Sequence, residues 1–225
     1  MAEAGRQPIF RERPSAAIAP EGWPFVAAGA AATALAAAFG PFWLAATLGA
    51  VALFVLAFFR NPARPVPGGE DDVVAPADGR VLAVDELEDE RGRKGLRIGI
   101  FLSVFDVHVN RAPLAGRVVS VERAGARFLA AYDPRGEREN VRLRIELERP
   151  DGRRFAVVQI TGLIARRIVC HAQVGDWLAR GARYGLIRFG SRTDVWLPAG
   201  SEPLVKRGDR VRGGASRIAR LVQAS

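Results

Sequence analysis

Residues 22–59 contain no charged side chain, and no other feature restricts the chain so strongly. The run is alanine-rich, carries Phe25, Leu35, Phe39, Trp43, Leu44, Leu48, Leu53, Phe54, Leu56, Phe58 and Phe59, and is bounded by Glu21 and Arg60. Gly40-Pro41 breaks it near its middle, since proline cannot continue a helix. Each half approaches the roughly 20 residues that cross a bilayer core as a helix. A cleaved secretory signal would show one short apolar core, not two halves after a polar leader. Arg6, Arg11 and Arg13 precede the run, and Arg60 and Arg64 follow it. The positive-inside rule therefore puts both ends in the cytoplasm. The expected arrangement is a basic segment (1–20), a membrane-associated helical hairpin (21–60) and a soluble domain (61–225) on the cytoplasmic face of the cell membrane. Whether the hairpin spans the bilayer or lies in its interface stays open at this point.

The chain has 225 residues, room for one compact domain beside that appendage. Its formal charge is +9, from 33 basic residues against 24 acidic ones, and the only lysines are Lys94 and Lys206. A basic domain held at a membrane gains about 1 kcal/mol per basic residue from anionic head groups. The same charge suits nucleic acid, but the chain has no basic helix, aromatic platform or finger motif, so nucleic acid is not expected as a partner. Cys170 is the only cysteine, so no intrachain disulfide can form.

From Asn61 onward the texture is short β-branched runs between Gly, Pro and charged turns, which reads as mainly β. Strands are expected at 80–84, 96–102, 106–110, 116–123, 141–147, 155–160, 168–169, 183–187, 194–197 and 216–221. Turns are expected at Glu90-Arg91-Gly92, Asp133-Pro134-Arg135-Gly136 and Pro150-Asp151-Gly152. A Gly-Asp corner repeats, in Val174-Gly175-Asp176-Trp177-Leu178-Ala179-Arg180-Gly181 and again in Arg207-Gly208-Asp209-Arg210-Val211-Arg212-Gly213-Gly214. Such corners join short strands in small sandwiches. The expected fold is mainly β (α+β), a compact β-sandwich-like catalytic domain preceded by the helical hairpin. The polar stretch 123–140 reads as a helical turn and a long loop.

The segment from Tyr184 to Pro198, with Arg188-Phe189-Gly190-Ser191-Arg192 at its centre, resembles the processing site of pyruvoyl-dependent phosphatidylserine decarboxylases of the short prokaryotic form. Ala75-Pro76-Ala77-Asp78-Gly79 and Phe105-Asp106-Val107-His108-Val109-Asn110-Arg111 extend the resemblance, and Glu137-Arg138-Glu139-Asn140 does so more loosely. The resemblance implies self-cleavage between Gly190 and Ser191. Ser191 Oγ attacks the Gly190 carbonyl carbon, and an N-to-O acyl shift is followed by β-elimination. A pyruvoyl cofactor is left at position 191, and the two products, 1–190 and 191–225, stay together as a heterodimer whose further oligomerisation is open. It also implies decarboxylation of phosphatidylserine to phosphatidylethanolamine, with the substrate amine forming a Schiff base on the pyruvoyl carbonyl.

Amino-acid decarboxylation needs an electron sink, supplied by pyridoxal phosphate on a lysine or by a carbonyl made from the chain. Lys94 sits in a charged turn and Lys206 in a basic corner, so no pyridoxal phosphate is expected. A hydroxyl nucleophile needs a base, and the chain has two histidines, His108 and His171. Strand alternation would put Asp106, His108 and Asn110 on one face. By resemblance His108 assists cleavage or decarboxylation, and Asp78 completes a serine-protease-like arrangement. Asp106 competes as the orienting group. Longer bacterial members carry a second histidine three residues on, where this chain has Arg111, so whether His108 serves both steps is open. His171 reads as a surface residue, and Ser103, Ser120, Ser201 and Ser216 as structural. No metal is expected, because two histidines are too few for a sandwich-type zinc peptidase. A non-catalytic membrane-anchored β-sandwich adaptor or carrier is the alternative, but neither lysine stands where a carrier needs one.

Overall fold

A computed structural model describes residues 17–89, 91–130, 132–133, 135–163, 167–188 and 190–222. Arg6, Arg11, Arg13, Glu90, Pro134 and Phe189, all singled out by sequence, lie outside them. The chain divides into a helical unit within residues 14–63 and a β unit from Arg64 on.

In the helical unit a 3-10 turn (Pro20–Gly22) leads into α1 (Trp23–Phe39), and α2 (Phe42–Phe58) follows directly. Pro41 is the N-cap of α2, where its missing N–H costs nothing, so the break falls where the sequence places it. Thr33 and Thr47 donate their hydroxyls back to the Gly29 and Trp43 carbonyls, both at 2.8 Å, which satisfies them within their own helices. The helices meet through small residues. A Cβ on Gly29 would lie 3.1 Å from Ala52, and one on Gly49 3.6 Å from Thr33. Leu35, Phe39, Phe42, Trp43 and Leu53 face outward, each more than half exposed. Apolar side chains all round suit lipid rather than water. Pro20–Phe39 is 20 residues long and apolar enough to cross a membrane.

The β unit contains β1 (Asp72–Val74), β2 (Gly79–Glu88), β3 (Lys94–Leu102), β4 (Val109–Arg111), β5 (Gly116–Ala124), the helical turn α3 (Gly136–Glu139), β6 (Arg142–Glu148), β7 (Arg154–Ile160), β8 (Arg167–Cys170), β9 (Trp177–Leu178), β10 (Arg183–Arg188), β11 (Ser191–Pro198), β12 (Glu202–Pro203), β13 (Arg210–Val211) and β14 (Arg217–Arg220). An eight-stranded sheet runs β13-β2-β3-β11-β7-β6-β5-β9, and two three-stranded sheets run β1-β14-β12 and β4-β10-β8. All the pairings are antiparallel. Alternation explains the layering. Ile98, Ile100 and Leu102 of β3, Val195 and Leu197 of β11 and Ile145 and Leu147 of β6 join one core with Tyr184 and Ile187 of β10 and Ile218 of β14.

The mainly β fold with a helical hairpin agrees with the sequence. One expected strand does not. Residues 104–106 form a turn, and β4 begins only at Val109. The Asp106 carboxylate accepts the Ser103 N–H at 2.8 Å and Asp106 N–H donates to the Ser103 carbonyl, so local capping bonds displace the ladder there. Four short strands, β1, β9, β12 and β13, were too brief to leave a pattern. The two Gly-Asp corners produce β9 and β13, which are the two edges of the large sheet.

Candidate active site

Ser191 opens β11, the strand between β3 and β7, with Ser191 opposite Leu102 and Arg192 opposite Ile160. Its side chain points inward with Thr193, into the layer beneath the large sheet. Ser191 is wholly buried, and its Oγ has no hydrogen-bond partner among the described residues. A buried orphan hydroxyl costs on the order of 1–3 kcal/mol, so a native chain that keeps one has another use for it. Ser103, Ser120, Ser201 and Ser216 differ, because each hydroxyl bonds within its own turn or strand. Gly190 has φ +58°, in the left-handed region that disfavours side chains.

His108 is buried and leads into β4. Its Nδ1 lies 2.9 Å from the Asp106 carbonyl oxygen, which accepts only, so Nδ1 carries the proton. Nε2 is then the bare nitrogen, and it accepts the Gly190 N–H at 3.3 Å. The ring thus presents a lone pair one residue from the Gly190–Ser191 bond. The Ile187 N–H of β10 donates to the His108 carbonyl at 3.3 Å, so the histidine is bonded through its backbone to β10 and through its ring to Gly190.

Asp78 does not stand as expected from a serine-protease-like chain of bonds. Its carboxylate accepts two hydrogen bonds from the Arg64 guanidinium, one at 2.7 Å, and one from the Gly213 N–H at 2.8 Å. The group facing His108 Nδ1 is the main chain of Asp106, not the Asp106 carboxylate that sequence proximity suggested. The segment that carries Asp78 does join β4, where the Arg111 N–H donates to Pro76 O at 2.8 Å. Arg111, at the position of the second histidine of longer relatives, sends its guanidinium to the Gly181 carbonyl at 3.1 Å. His171 is half-buried just past β8.

Two site residues escaped the sequence reading. Gln159 Nε2 donates to Asn110 Oδ1 at 2.7 Å, and Asn110 Nδ2 to Thr193 Oγ1 at 3.3 Å. Gln159, Asn110 and Thr193 are all fully buried, and Gln159 Oε1 is without a partner among the described residues. This polar chain shares the inner face with Ser191. The only trace of it in sequence was a lone glutamine in the apolar run Phe155-Ala156-Val157-Val158-Gln159-Ile160.

On the outer face, Arg192 grips Asp194 at 2.6 and 2.8 Å and reaches Glu137 at 3.3 Å. Arg97 pairs with Asp85 at 2.6 Å and with Glu137, and lies over the Trp196 ring at 5.8 Å. Burial pushes the Asp194 carboxyl up against the pull of Arg192. The cluster ties β11, just past Ser191, to β3 and α3. Fully buried Asn140 bonds to Leu129 and to Thr161 O at 2.8 Å, pinning the long loop to the end of β7. Lys94 and Lys206 are both exposed. Among the described residues no three His, Cys, Asp or Glu side chains group as metal ligands.

A family profile described as Phosphatidylserine decarboxylase matches residues 51–219. The chain belongs to the phosphatidylserine decarboxylase family. Proteins named phosphatidylserine decarboxylase proenzyme are similar to it over nearly their whole length. That of Symbiobacterium thermophilum is 52% identical over 208 residues, 92% of this chain and 96% of the relative. That of Pelobacter propionicus is 49% identical over 212 residues, covering 91% and 96%, and that of Cupriavidus pinatubonensis 44% over 210 residues, covering 92% and 97%. Membership in this enzyme family leaves the adaptor or carrier alternative without support.

Proposed function

We propose that this chain is a precursor that cuts itself between Gly190 and Ser191 and then decarboxylates phosphatidylserine to phosphatidylethanolamine at the cytoplasmic face of the membrane. The observation that carries the reading is the orphan Ser191 Oγ, preceded by a left-handed glycine whose N–H touches a bare imidazole nitrogen. His108 Nε2 takes the hydroxyl proton while Oγ adds to the Gly190 carbonyl carbon; the C–N bond then breaks, and the same proton passes to the nitrogen of residue 191. Gly190 offers the attacking oxygen an unhindered carbonyl. Elimination of the Gly190 carboxylate across Cα and Cβ, followed by tautomerisation and hydrolysis with loss of ammonia, yields a ketone at position 191. Asp78, held by Arg64 and the Gly213 N–H, fixes the segment whose Pro76 carbonyl bonds to β4 three residues after His108.

The residues fit a pyruvoyl group: the position is enclosed, polar partners are few, and the flanking strand is clamped on its outer face. Bound covalently there, that group would supply the electron sink for loss of carbon dioxide. Gln159, Asn110 and Thr193 would orient the amino-acid head, and the dry surroundings of residue 191 would destabilise a carboxylate relative to neutral carbon dioxide. His108 would return a proton to the substrate α carbon. Ser191 and His108 are both shut off from solvent in the uncut chain. Release of the Gly190 end from His108 would open the way in, which ties activity to cleavage. The apolar hairpin and the basic surface favour an anionic membrane as the place of action and keep the lipid within reach.

Intact-mass analysis of purified protein should show two chains divided after Gly190, the smaller without a free amino terminus, and carbon dioxide released from phosphatidylserine. Ser191→Ala should remain uncut and inactive. A single 24.3 kDa chain with full activity would refute the reading.

A further inference from the structure

The proposed cut makes residue 191 a chain end in the middle of a sheet, and chain ends fray unless something ties them down. β11 becomes the first strand of the small chain, while its two neighbours, β3 and β7, belong to the large one. Residue 191 has a ladder partner on one side only, Leu102 of β3, because the pairing with β7 begins at Arg192. In the uncut chain the residue before it is anchored as well, through the bond from the Gly190 N–H to His108. Cutting disconnects residue 191 from that anchor.

A built slot on the outer face of the sheet replaces it. Arg192 donates from Nε and Nη2 to the Asp194 carboxylate at 2.6 and 2.8 Å, and both side chains are almost wholly buried. Room for the pair comes from Gly99 of β3, directly opposite Asp194, where a Cβ would lie 3.0 Å from Asp194 Oδ1 and 3.1 Å from Arg192 Nη2. Glycine inside a strand weakens it and marks a place where other groups approach the backbone closely. Val158 and Ile160 of β7, buried and apolar, stand opposite Asp194 and Arg192 on the other side and keep water from the pair. Glu137 closes the slot. One of its oxygens takes Arg192 at 3.3 Å and the other takes Arg97 of β3, so a single carboxylate ties the small chain to the large one. It comes from α3, in the long polar loop that Asn140 pins at the end of β7.

We infer that Glu137, resting on the cleavage proposed above, is a positioning residue for decarboxylation: with the Gly99 slot it holds Arg192, so that the ketone at the new chain end keeps its place in the sheet. Before the cut, the continuous backbone and the Gly190 bond fill the same role, and self-cleavage has no need of the clamp. After the cut, the clamp acts one residue from the reacting carbon.

Glu137→Gln tests this, because it keeps the size of the side chain and removes the charge that both arginines share. Cleavage followed by mass should run to completion at a rate within about twofold of the parent, whereas kcat for carbon dioxide release from phosphatidylserine should fall about 10- to 100-fold with KM within about threefold, the pattern of a misplaced reacting group. Glu137→Asp, which keeps the charge, should recover part of kcat. Gly99→Ala, which crowds the Arg192–Asp194 pair from the opposite wall, should give the same split between cleavage and kcat. Hydrogen exchange supplies a readout that does not depend on activity. Residues 192–197 should exchange about 10-fold faster in cut Glu137→Gln than in the cut parent, and Glu137→Gln should leave their exchange unchanged in the uncut Ser191→Ala background. Equal slowing of cleavage and decarboxylation, or faster exchange already in the uncut background, would make the cluster structural and overturn the positioning role, as would an unaltered kcat. A parent protein that cuts itself but releases no carbon dioxide from phosphatidylserine would sink the proposed substrate and leave the exchange comparison to decide the clamp. A parent that never cuts itself would overturn both.

Discussion

The β unit contains one corner twice, and the copies differ at the position that matters. Ala75-Pro76-Ala77-Asp78-Gly79-Arg80-Val81 and Ala112-Pro113-Leu114-Ala115-Gly116-Arg117-Val118 share the pattern A-P-x-x-G-R-V. Each leads into a long strand, β2 or β5, that pairs with a short edge strand from a Gly-Asp corner. The bonds match. Gly208 N–H donates to Val81 O at 2.8 Å as Gly175 N–H does to Val118 O, and Gly214 N–H donates to Ala75 O as Gly181 N–H does to Ala112 O, all at 2.8 Å. Where the first copy has Asp78, the second has Ala115. The same backbone corner therefore closes without a carboxylate. In the first copy the Asp78 carboxylate adds bonds from Arg64 and the Gly213 N–H to that corner. The duplicated corner thus closes in two ways, with and without an ion pair.

The sharpest way to break this equivalence uses the paired glycines. Gly79 has φ +153°, and a Cβ would sit 1.9 Å from Phe101 O, whereas one on Gly116 would sit 3.0 Å from Glu148 O. Gly79→Ala should cost about 4 kcal/mol or more and leave little folded protein, and Gly116→Ala about 1 kcal/mol, by denaturant unfolding of the uncut Ser191→Ala background. Equal costs would mean that the closer approach of Phe101 O to Gly79 is relieved at no expense and does not distinguish the corners.

Next in size, Asp78→Ala makes the first corner resemble the second. Self-cleavage should slow by about 100-fold, followed as appearance of the small chain on denaturing gels. Because this leaves the half-buried Arg64 without its partner, Arg64→Met with Asp78→Ala should regain stability but not cleavage. Cleavage restored along with stability would make Asp78 structural after all.

A smaller effect reports on closure of the site before cutting. Burial pushes the Cys170 thiol, opposite Gly185 on β10, up to about 11. At pH 8 iodoacetamide should label it about 100-fold more slowly in the folded precursor than in urea, because so little thiolate is present. The smallest effect belongs to the exposed hairpin between β6 and β7. Arg153, with help from Arg149, holds the Asp151 carboxyl at about 2. Its contribution is present above the ordinary carboxylate range and fades as pH falls toward 2. Asp151→Asn should cost no more than about 0.5 kcal/mol at pH 7 and nothing near pH 2, by thermal unfolding.

Much of the chain was legible before any coordinates. The uncharged run with its Gly-Pro break gave two helices, since composition and a missing N–H act within a few residues. Alternation located most strands, and the Gly190-Ser191 pair stood out through its resemblance to a processing site. Residues 106–108 of the expected strand 106–110 are not strand, because Asp106 caps Ser103 through local bonds that outweigh the β pattern. Asp78 was linked to the histidine by resemblance, but Arg64 and the Gly213 N–H claim its oxygens.

What sequence determined by itself is therefore the apolar helical hairpin and the β character of the rest, with Ser191 and His108 singled out by resemblance. Only the tertiary structure decided that Ser191 Oγ would be buried without a partner, that His108 would offer Nε2 to Gly190, and that Gln159, Asn110 and Thr193 would share its layer. Propensity and patterning act over a few residues, whereas strand register joins residues tens of positions apart, and a shift of one residue would turn every one of these side chains to the opposite face.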